Sequence, residues 1–596
     1  MRPQHKAYAG MTRSLVVAID VGTTYSGISY AVLDPGQVPR IQSVSRYPGR
    51  STTDFKVPSI VYYSEDGAVR AIGAETLEPG FELKVQDESL TRVEWFKLHL
   101  CPSSLQSGDL AEADLQPLPF GKKAGDVFAD MLRYLYACVH RFITETHGNG
   151  TSLWASVQSR ISFVLSHPNG WEGPQQAKLR QAAVRAGLVP NDAAGHARIH
   201  FVTEGEASLH FCVNSGLAAD YIQDGSRVMI VDAGGGTVDL SSYKFVSTNP
   251  LTVEEIAAPG CILQGSTRVN ARALTYLKSK LHNSSFGNDE DIGEMMLKFE
   301  ESTKPTFKDD SEQTFIKFGG WRNQDASVNI RNGQLTLEGE DVAQFFQPSL
   351  MGIVAAIRKQ RLAATESVNV AFLVGGFAAS PWLFSHLQDV LSTMDIDLSR
   401  PDGHTNKAVA EGAVSFFLSS FVTSRIAKYT YGVTCSRSLD WADPECVARS
   451  HTAHPRPSGR LYIPDGFHSY IEKGSKIRDN EEINHNFYRE AMYPTSLNCI
   501  ETSITCYRGD LKSLRWKDED PMNFASLCTI RADTSGTKPE RKEGSSGSYY
   551  TQHYDIVILC GLTELKAQIR WCENGVEKYG EAQVIYDDDD DAELIF

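Results

Sequence analysis

The sequence predicts an α/β chain of two duplicated lobes, followed by a smaller all-β domain. Two observations carry the lobes. Residues 15–31, LVVAIDVGTTYSGISYA, and residues 228–244, VMIVDAGGGTVDLSSYK, repeat one plan: an apolar run, an aspartate, a short glycine-containing turn with threonine, then an alternating second run. A further glycine turn, in VNVAFLVGGFAASPWLF at residues 368–384, follows another apolar run but leads into a helical pattern. The third observation concerns the C-terminal part. After residue 424 the long helical patterns stop, short alternating runs take over, and seven of the eleven cysteines are found there.

At 596 residues the chain is too long for one core, so several domain-sized units are expected, some of them lobes of a single fold. A hydrophobic content of 41% with 22% charged residues excludes overall disorder. A formal net charge of -16 argues against a general nucleic-acid binder, because phosphate backbones are gripped by clustered Lys and Arg. No apolar stretch reaches the ~20 residues that span a bilayer, and the basic start MRPQHKAYAGMTR lacks the apolar core of a secretory signal. Neither nucleic acid nor membrane is therefore an expected partner. The cysteines are scattered without a C-x-x-C, which suits reduced thiols and a cytoplasmic location. Cys446, His451 and His454 have a spacing that could open a zinc site, but no fourth ligand accompanies them, and His167 and His210 stand alone. All five are read as packing or surface residues.

Taken in order, residues 1–13 are an N-terminal extension, and the first lobe starts with the apolar run at residue 14. In both repeats the segment after the turn, SGISYAV or VDLSSYKF, alternates like a strand and has no helix start. That separates the device from a P-loop or a dinucleotide fold, whose glycines run into a helix with the phosphate at its N-terminus. The expected element is a β-hairpin whose tip offers backbone N–H groups and threonine hydroxyls to an anion such as a phosphate chain. Asp20, Asp232 and Asp239 would repel that anion unless a cation stood between, so they imply Mg2+ held through its waters. In the third stretch Gly375 and Gly376 let a flat group lie against the backbone, and Ser380-Pro381 is an N-cap with proline at the first helical position.

These stretches, in this order, resemble the actin, sugar-kinase and heat-shock chaperone ATPase superfamily, with its actin-like, ribonuclease H-like fold. Within it they resemble the seventy-kilodalton heat-shock protein family, in a divergent form. VVAIDVGTTYSG is similar to its first phosphate motif, VMIVDAGGGTVDL to its second and AFLVGGFAASP to its adenosine motif. FVTEGEASLHF (201–211) and NKAVAEGAV (406–414) resemble its two connecting helices, so that residues 14–424 are covered as a nucleotide-binding domain for ATP or ADP with Mg2+. The resemblance implies that Gly22, Thr23, Thr24 and Tyr25 hold phosphates on one lobe, and Gly234, Gly235, Gly236 and Thr237 on the other. It places Asp20, Asp232 and Asp239 in the Mg2+ shell, Glu204 near the attacking water, and Lys97 of RVEWFKLHL near the γ-phosphate. Gly265, Glu301, Lys304, Gly375 and Gly376 would contact the adenosine. Lys97, Glu204, Asp232 and Thr237 are thus the catalytic candidates. Phosphoryl transfer to water needs positioning, a cation and charge stabilisation more than covalent help, and a ligand clamped between lobes can act as a switch.

Several positions depart from the family pattern. FEESTKPTF (299–307) keeps Glu301 and Lys304 but has Pro305 where an arginine is expected, and proline in a regular helix interior costs roughly 3 kcal/mol. Ser266 stands where the family has an acidic ribose contact, and Phe377 replaces a small polar residue. Nucleotide binding is expected to persist with looser purine selectivity.

In residues 425–586, LKAQIRW (565–571) places Leu565, Ala567, Ile569 and Trp571 on one face, and Asn574-Gly575 is a strong hairpin signal. TYGVTCS, YIEKGSKIRDNEEINHNF, SITCYRGD and LKAQIRWCENGVEK resemble, in order, strands of the family's β-sandwich substrate-binding domain. That resemblance implies unfolded or extended polypeptide clients, and co-chaperones, as partners. The family's acidic, leucine-rich linker is not visible in SSFVTSRIAKYTYG, and the helical lid is missing, leaving residues 587–596, DDDDDAELIF, as a solvated acidic tail. The expectation is an ATP-hydrolysing, atypical chaperone with lidless, quickly reversible client binding. A pseudo-ATPase scaffold that recruits partners through the β-domain is the alternative, and a small-molecule kinase on the same fold ranks third.

Overall fold

The structure, a computed structural model, describes residues 5–49, 53–102, 115–119, 121–171, 173–216, 219–401, 405–545, 547–561, 564–580 and 583–584. The acidic run at 587–596 lies outside them. The chain divides into two compact units, Met1–Trp171 with Lys178–Val422 and Glu172–Ala177 with Thr423–Phe596. It is mixed α/β, with several sheets.

In the first lobe, β1 (Ser14–Val21) pairs antiparallel with β2 (Tyr25–Leu33), and β3 (Lys56–Pro58) lies antiparallel on the other edge of β2. Helix α1 (Ala124–Thr146) follows, and β4 (Ile161–His167) and β5 (Ile199–Thr203) extend the sheet in parallel beside β1. Strand β1 is buried on both faces, so it reads as a continuous apolar run. The period of two is nevertheless decisive for packing. Leu15, Val17, Ile19 and Val21 join the core with Val127, Met131 and Leu135 of α1. Val16 and Ala18 join the opposite core.

Helix α2 (Glu204–Ser215) leads into the second lobe, where the plan recurs. Strand β6 (Arg227–Ala233) pairs antiparallel with β7 (Val238–Thr248), and β7 with β8 (Leu251–Ile262). Helices α3 (Ser266–Leu281), α4 (Asp289–Lys298) and α5 (Gly339–Ala363) come next. Then β9 (Val370–Val374) adds in parallel beside β6, helix α6 (Pro381–Ser392) follows, and β10 (Asp397–Ser399) pairs parallel with β9. Met229, Val231 and Ala233 pack into the core that holds α3, α5 and α6, while Val228 and Ile230 face Leu209 and Val213 of α2. Helix α7 (Ala408–Leu418) supplies Val409, Ala413 and Val414 to the core of Val16 and Ala18. Each lobe thus covers the inner face of its central strand with one connecting helix.

The second unit carries two antiparallel sheets. Its strand Thr430–Ser438 lies between Leu461–Ile471 and Cys499–Tyr507, and Cys499–Tyr507 pairs with Phe524–Asp533. The other sheet runs Glu482–Ala491, Gly547–Cys560, Leu565–Glu573 and Val576–Tyr579. Ala567, Ile569 and Trp571 are buried in the core between them, with Leu565 packed against it. Asn574 and Gly575 at the last hairpin both have φ near the left-handed value, as a two-residue hairpin turn requires. The polar insert after Ser438 contains the short helix Pro444–Ala448, whose Cys446 packs with Ile463 and Trp516.

Candidate functional site

The turn from β1 to β2 and the turn from β6 to β7 meet tip to tip. A Cβ on Gly235 would run into the Thr24 side chain, and one on Gly236 into the Thr23 hydroxyl, so these glycines are required by close approach. The first turn is braced by Ser59, whose N–H donates to Thr24 O at 2.8 Å and whose hydroxyl donates to Gly22 O at 2.7 Å. Tyr25, which opens β2, is half-exposed. The second turn is closed by Gly234 N–H donating to Thr237 O at 2.9 Å. Amides at the start of α3 hold its carbonyls: Gly265 donates to Gly236, Ser266 to Gly234 and Thr267 to Gly235, at 2.9–3.2 Å. Gly265 therefore serves as the N-cap of α3 and packs directly on Gly235 and Gly236.

Four buried carboxylates surround these tips. Asp20 and Asp232 stand at equivalent places, near the ends of β1 and β6, and Asp239 pairs across from Asp232 in register. Asp20 accepts from Lys56 Nζ at 2.8 Å and from Ser166 at 2.9 Å. Burial acts to raise its pKa, but the Lys56 and Lys97 ammoniums outweigh that and hold it below the ordinary carboxylate range. Asp232 accepts from Ser208 at 2.6 Å, yet burial and the Glu204 charge push it up to about 7. Asp239 accepts from Asn169 N–H at 2.7 Å and is pushed up to about 8 by burial and by the Glu204 and Asp232 charges. Thr237 also hydrogen-bonds Asp239.

Lys97, on the short turn Phe96–Leu100, donates to Glu204 Oε1 at 2.6 Å. Burial opposes its charge, but the facing Glu204 and Asp20 raise its pKa. Glu204 is the first residue of α2, where the helix N-terminus favours a carboxylate. Asn169, just beyond β4, ties the lobes: its amide donates to Leu240 O at 3.1 Å and to the Ser241 hydroxyl at 3.0 Å, and its oxygen accepts from Gly205 N–H at 3.3 Å. Cys101 is pushed up to about 12, and Cys261 is also held well above the ordinary thiol value, in both by burial and then by Asp239. They are thiols at neutral pH, so neither offers a thiolate nucleophile.

The outer residues are placed less uniformly. Gly375, at φ +94°, lies so close to Ala233 O and Asp232 that no side chain fits, whereas a Cβ on Gly376 would meet open space. Lys304 is buried and donates to Asn270 at 2.8 Å, with Glu300 at 3.6 Å. Asn270 and Glu300 line a cavity of about 1120 Å³ together with Arg268 and Arg272 of α3 and Arg92 and Trp95 of the first lobe. Glu301 is not brought to the site; it is half-exposed and pairs with Lys298 at 2.8 Å. Glu301 lies in a π-helical turn, Phe299–Thr303, which ends two residues before Pro305. The wide turn accommodates the missing proline N–H and sets Glu300, one turn before Lys304, beside it. The Phe377 ring is buried in the lobe core near Phe346, with centroids 6.1 Å apart.

The residues fit a hydrated divalent cation. Asp239 Oδ2 is buried without a hydrogen-bond partner, and the raised Asp232 and Asp239 carboxyls mark uncompensated negative charge. Among the described residues no group of three or more His, Cys, Asp or Glu side chains is arranged to ligate a metal directly, Cys446, His451 and His454 included. Contact through water satisfies both observations.

Sequence reasoning missed Lys56, Ser166, Asn169 and Ser208. Lys56 in DFKVPSIVYY gives no local signal, because its role depends on strand register; Asn169, in the turn-type sequence SHPNG, was visible only as a turn.

No family model matches the chain. It is 22% identical to heat shock 70 kDa protein 12B of Homo sapiens, over 91% of this chain and 88% of that protein. It is 23% identical to heat shock 70 kDa protein 12A of Mus musculus and of Homo sapiens, over 93% of this chain and 89% of each relative.

Proposed function

The chain is a divergent member of the seventy-kilodalton heat-shock protein family, and from that premise we propose that it is an ATP-hydrolysing switch of the chaperone type. ATP is clamped between two actin-like lobes, and an extended polypeptide client is held by the C-terminal unit. The observation that carries the reading is the tip-to-tip pair of glycine turns, each following a strand with a buried aspartate near its end.

In this reading the amides of Thr23, Thr24, Gly235 and Gly236 and the threonine hydroxyls seat the phosphates. Glu204 or Asp232 orients the attacking water, and Lys97, released from Glu204, offsets charge developing on the γ-phosphate oxygens. When bound, Mg2+ supplies the positive charge that stops Asp232 and Asp239 from repelling the phosphates. Lys304, Asn270 and the open face of Gly376 receive the nucleoside. Clients engage exposed side chains beside the strand Glu482–Ala491, where Met492 and Tyr493 are 45% and 72% exposed.

A single-turnover assay with excess protein and trace MgATP tests the reading, with Asp232→Asn as control. Phosphate release that disappears in the variant supports it. Tight binding with no release beyond that of the variant would instead favour a nucleotide-held scaffold. That second reading draws on the Lys97–Glu204 pair, which engages two of the four catalytic candidates with each other.

A further inference from the structure

We propose that His468 and His485 form a proton-operated latch between the two sheets of the second unit, closed while both rings are neutral and released when acid charges them. The proposal is independent of the nucleotide reading above. His468 lies on the strand Leu461–Ile471 of one sheet and His485 on Glu482–Ala491 of the other. Their rings meet edge to face, with centroids 4.5 Å apart and planes at 79°. Tyr470 stands edge to face on His485 at 4.8 Å, and Phe487 on His468 at 5.7 Å. Neutral imidazoles suit this packing, because each presents an aromatic ring to its neighbours.

Charged imidazoles do not suit it. His468 Nε2 and the Tyr470 hydroxyl are buried without a hydrogen-bond partner. Burial first, and then the charges of His485 and of Arg437 on the strand Thr430–Ser438, hold the His468 pKa below the ordinary histidine value. Arg437 is fixed in place by donating to Phe467 O at 2.6 Å. Burial raises the pKa of the Cys435 thiol and of the Tyr470 and Tyr554 hydroxyls, so these three neighbours stay neutral. Asp555, which faces Tyr470 from the strand Gly547–Cys560, is held by Arg570 and Asn486, each at 2.8 Å. Arg456 and Arg489, facing Tyr554, add positive charge. A second proton on the histidine pair therefore meets repulsion from both sheets. The strand that must yield is Glu482–Ala491, which ends its sheet and pairs with Gly547–Cys560. Ile483, His485 and Phe487 alternate on its inward face, and Ile483 and Phe487 pack on the core between the sheets. Charge at the middle member of that row draws water in beside the core and makes this edge easier to open.

The test is amide hydrogen exchange, read by mass spectrometry on the full chain at about pH 7.5 and about pH 5 and corrected for the intrinsic pH dependence of exchange. Protection of Glu482–Ala491 should fall by about tenfold or more at the acid pH, while that of Cys499–Tyr507 should change by less than about threefold. His468→Phe with His485→Phe keeps the ring packing but cannot take up protons, and should hold Glu482–Ala491 to within about threefold between the two conditions. His485→Phe alone removes a facing cation, so the His468 titration, followed by its ring resonances, should move to higher pH. The proposal is overturned if Glu482–Ala491 of the unsubstituted chain keeps its protection in acid, a comparison that stands whether or not the variants fold. Equal loss of protection in the double variant also overturns it, by assigning the acid response to another group such as Asp555. A His468 midpoint that stays in place in His485→Phe overturns it too, because the two rings would then not sense each other's charge.

Discussion

Lys97 and Glu204 form a buried ion pair, 2.6 Å from ammonium to carboxylate, across the mouth of helix α2. Breaking such a pair from one side strands the other charge, at a cost of about 3–5 kcal/mol. Lys97→Ala should therefore lower the thermal midpoint markedly, read by calorimetry. Glu204→Gln keeps the shape and an acceptor for Lys97, and should mainly slow single-turnover phosphate release, by about 100-fold or more. Normal release in Glu204→Gln would remove this carboxylate from the chemistry.

The raised carboxyls give a prediction for metal and pH together. Asp232 and Asp239 are pushed up to about 7 and about 8 by burial first and then by neighbouring negative charge, from an ordinary value of 3.8. The folded chain therefore holds protons that the unfolded chain has released, and metal-free stability contributed by these groups falls as pH rises from about 4 to about 8. Mg2+ should stabilise most at the alkaline end of that window. Asp239→Asn should flatten the pH slope and shrink the Mg2+ increment, both measurable in thermal melts. A Mg2+ increment unchanged by the substitution would place the ion elsewhere.

Much of this site was legible because its signals are local. An aspartate two residues from a glycine turn, after an apolar run, specifies a hairpin within a dozen residues, and Asp20 and Asp232 occupy equivalent places in their strands. Asn574-Gly575 was legible for the same reason. What stayed hidden depends on register or on contacts between distant segments. Lys56 reaches Asp20 only through the pairing of three strands, and Asn169 reaches Asp239 only when the lobes meet. Pro305 was read against a regular helix, but a π-turn absorbs it, and Glu300 takes the place beside Lys304 expected of Glu301.

Where α2 and α7 cross, Gly412 lies against Ala207. A Cβ at Gly412 would collide with the Ala207 carbonyl oxygen, which is backbone and cannot swing aside. In an isolated helix Gly→Ala gains about 1 kcal/mol of propensity. Here overpacking should win, so Gly412→Ala should destabilise by about 1–3 kcal/mol in denaturant unfolding. Because α2 packs on one lobe and α7 on the other, the same substitution should also weaken ATP affinity. Stabilisation by Gly412→Ala would mean that the two helices separate readily.

His167 titrates with the opposite sign to the two carboxyls. It is buried at the end of β4, shares a 2.9 Å hydrogen bond with Pro168 O, and burial, aided by the Lys97 charge, pulls its pKa from 6.5 to about 4. Between those values the unfolded chain binds more protons than the folded one, so stability rises with pH there. The contribution is fully present above about pH 6.5 and is lost as pH falls through that window toward about 4. The shift corresponds to roughly 3 kcal/mol at its full extent. His167→Gln keeps a hydrogen-bond donor but cannot take up the proton. Denaturant unfolding near neutrality and near pH 4 should show the unsubstituted chain losing roughly 3 kcal/mol more than this variant. The carboxyl terms are common to both proteins and cancel in the difference. Equal losses would show that His167 gains access to solvent before it protonates.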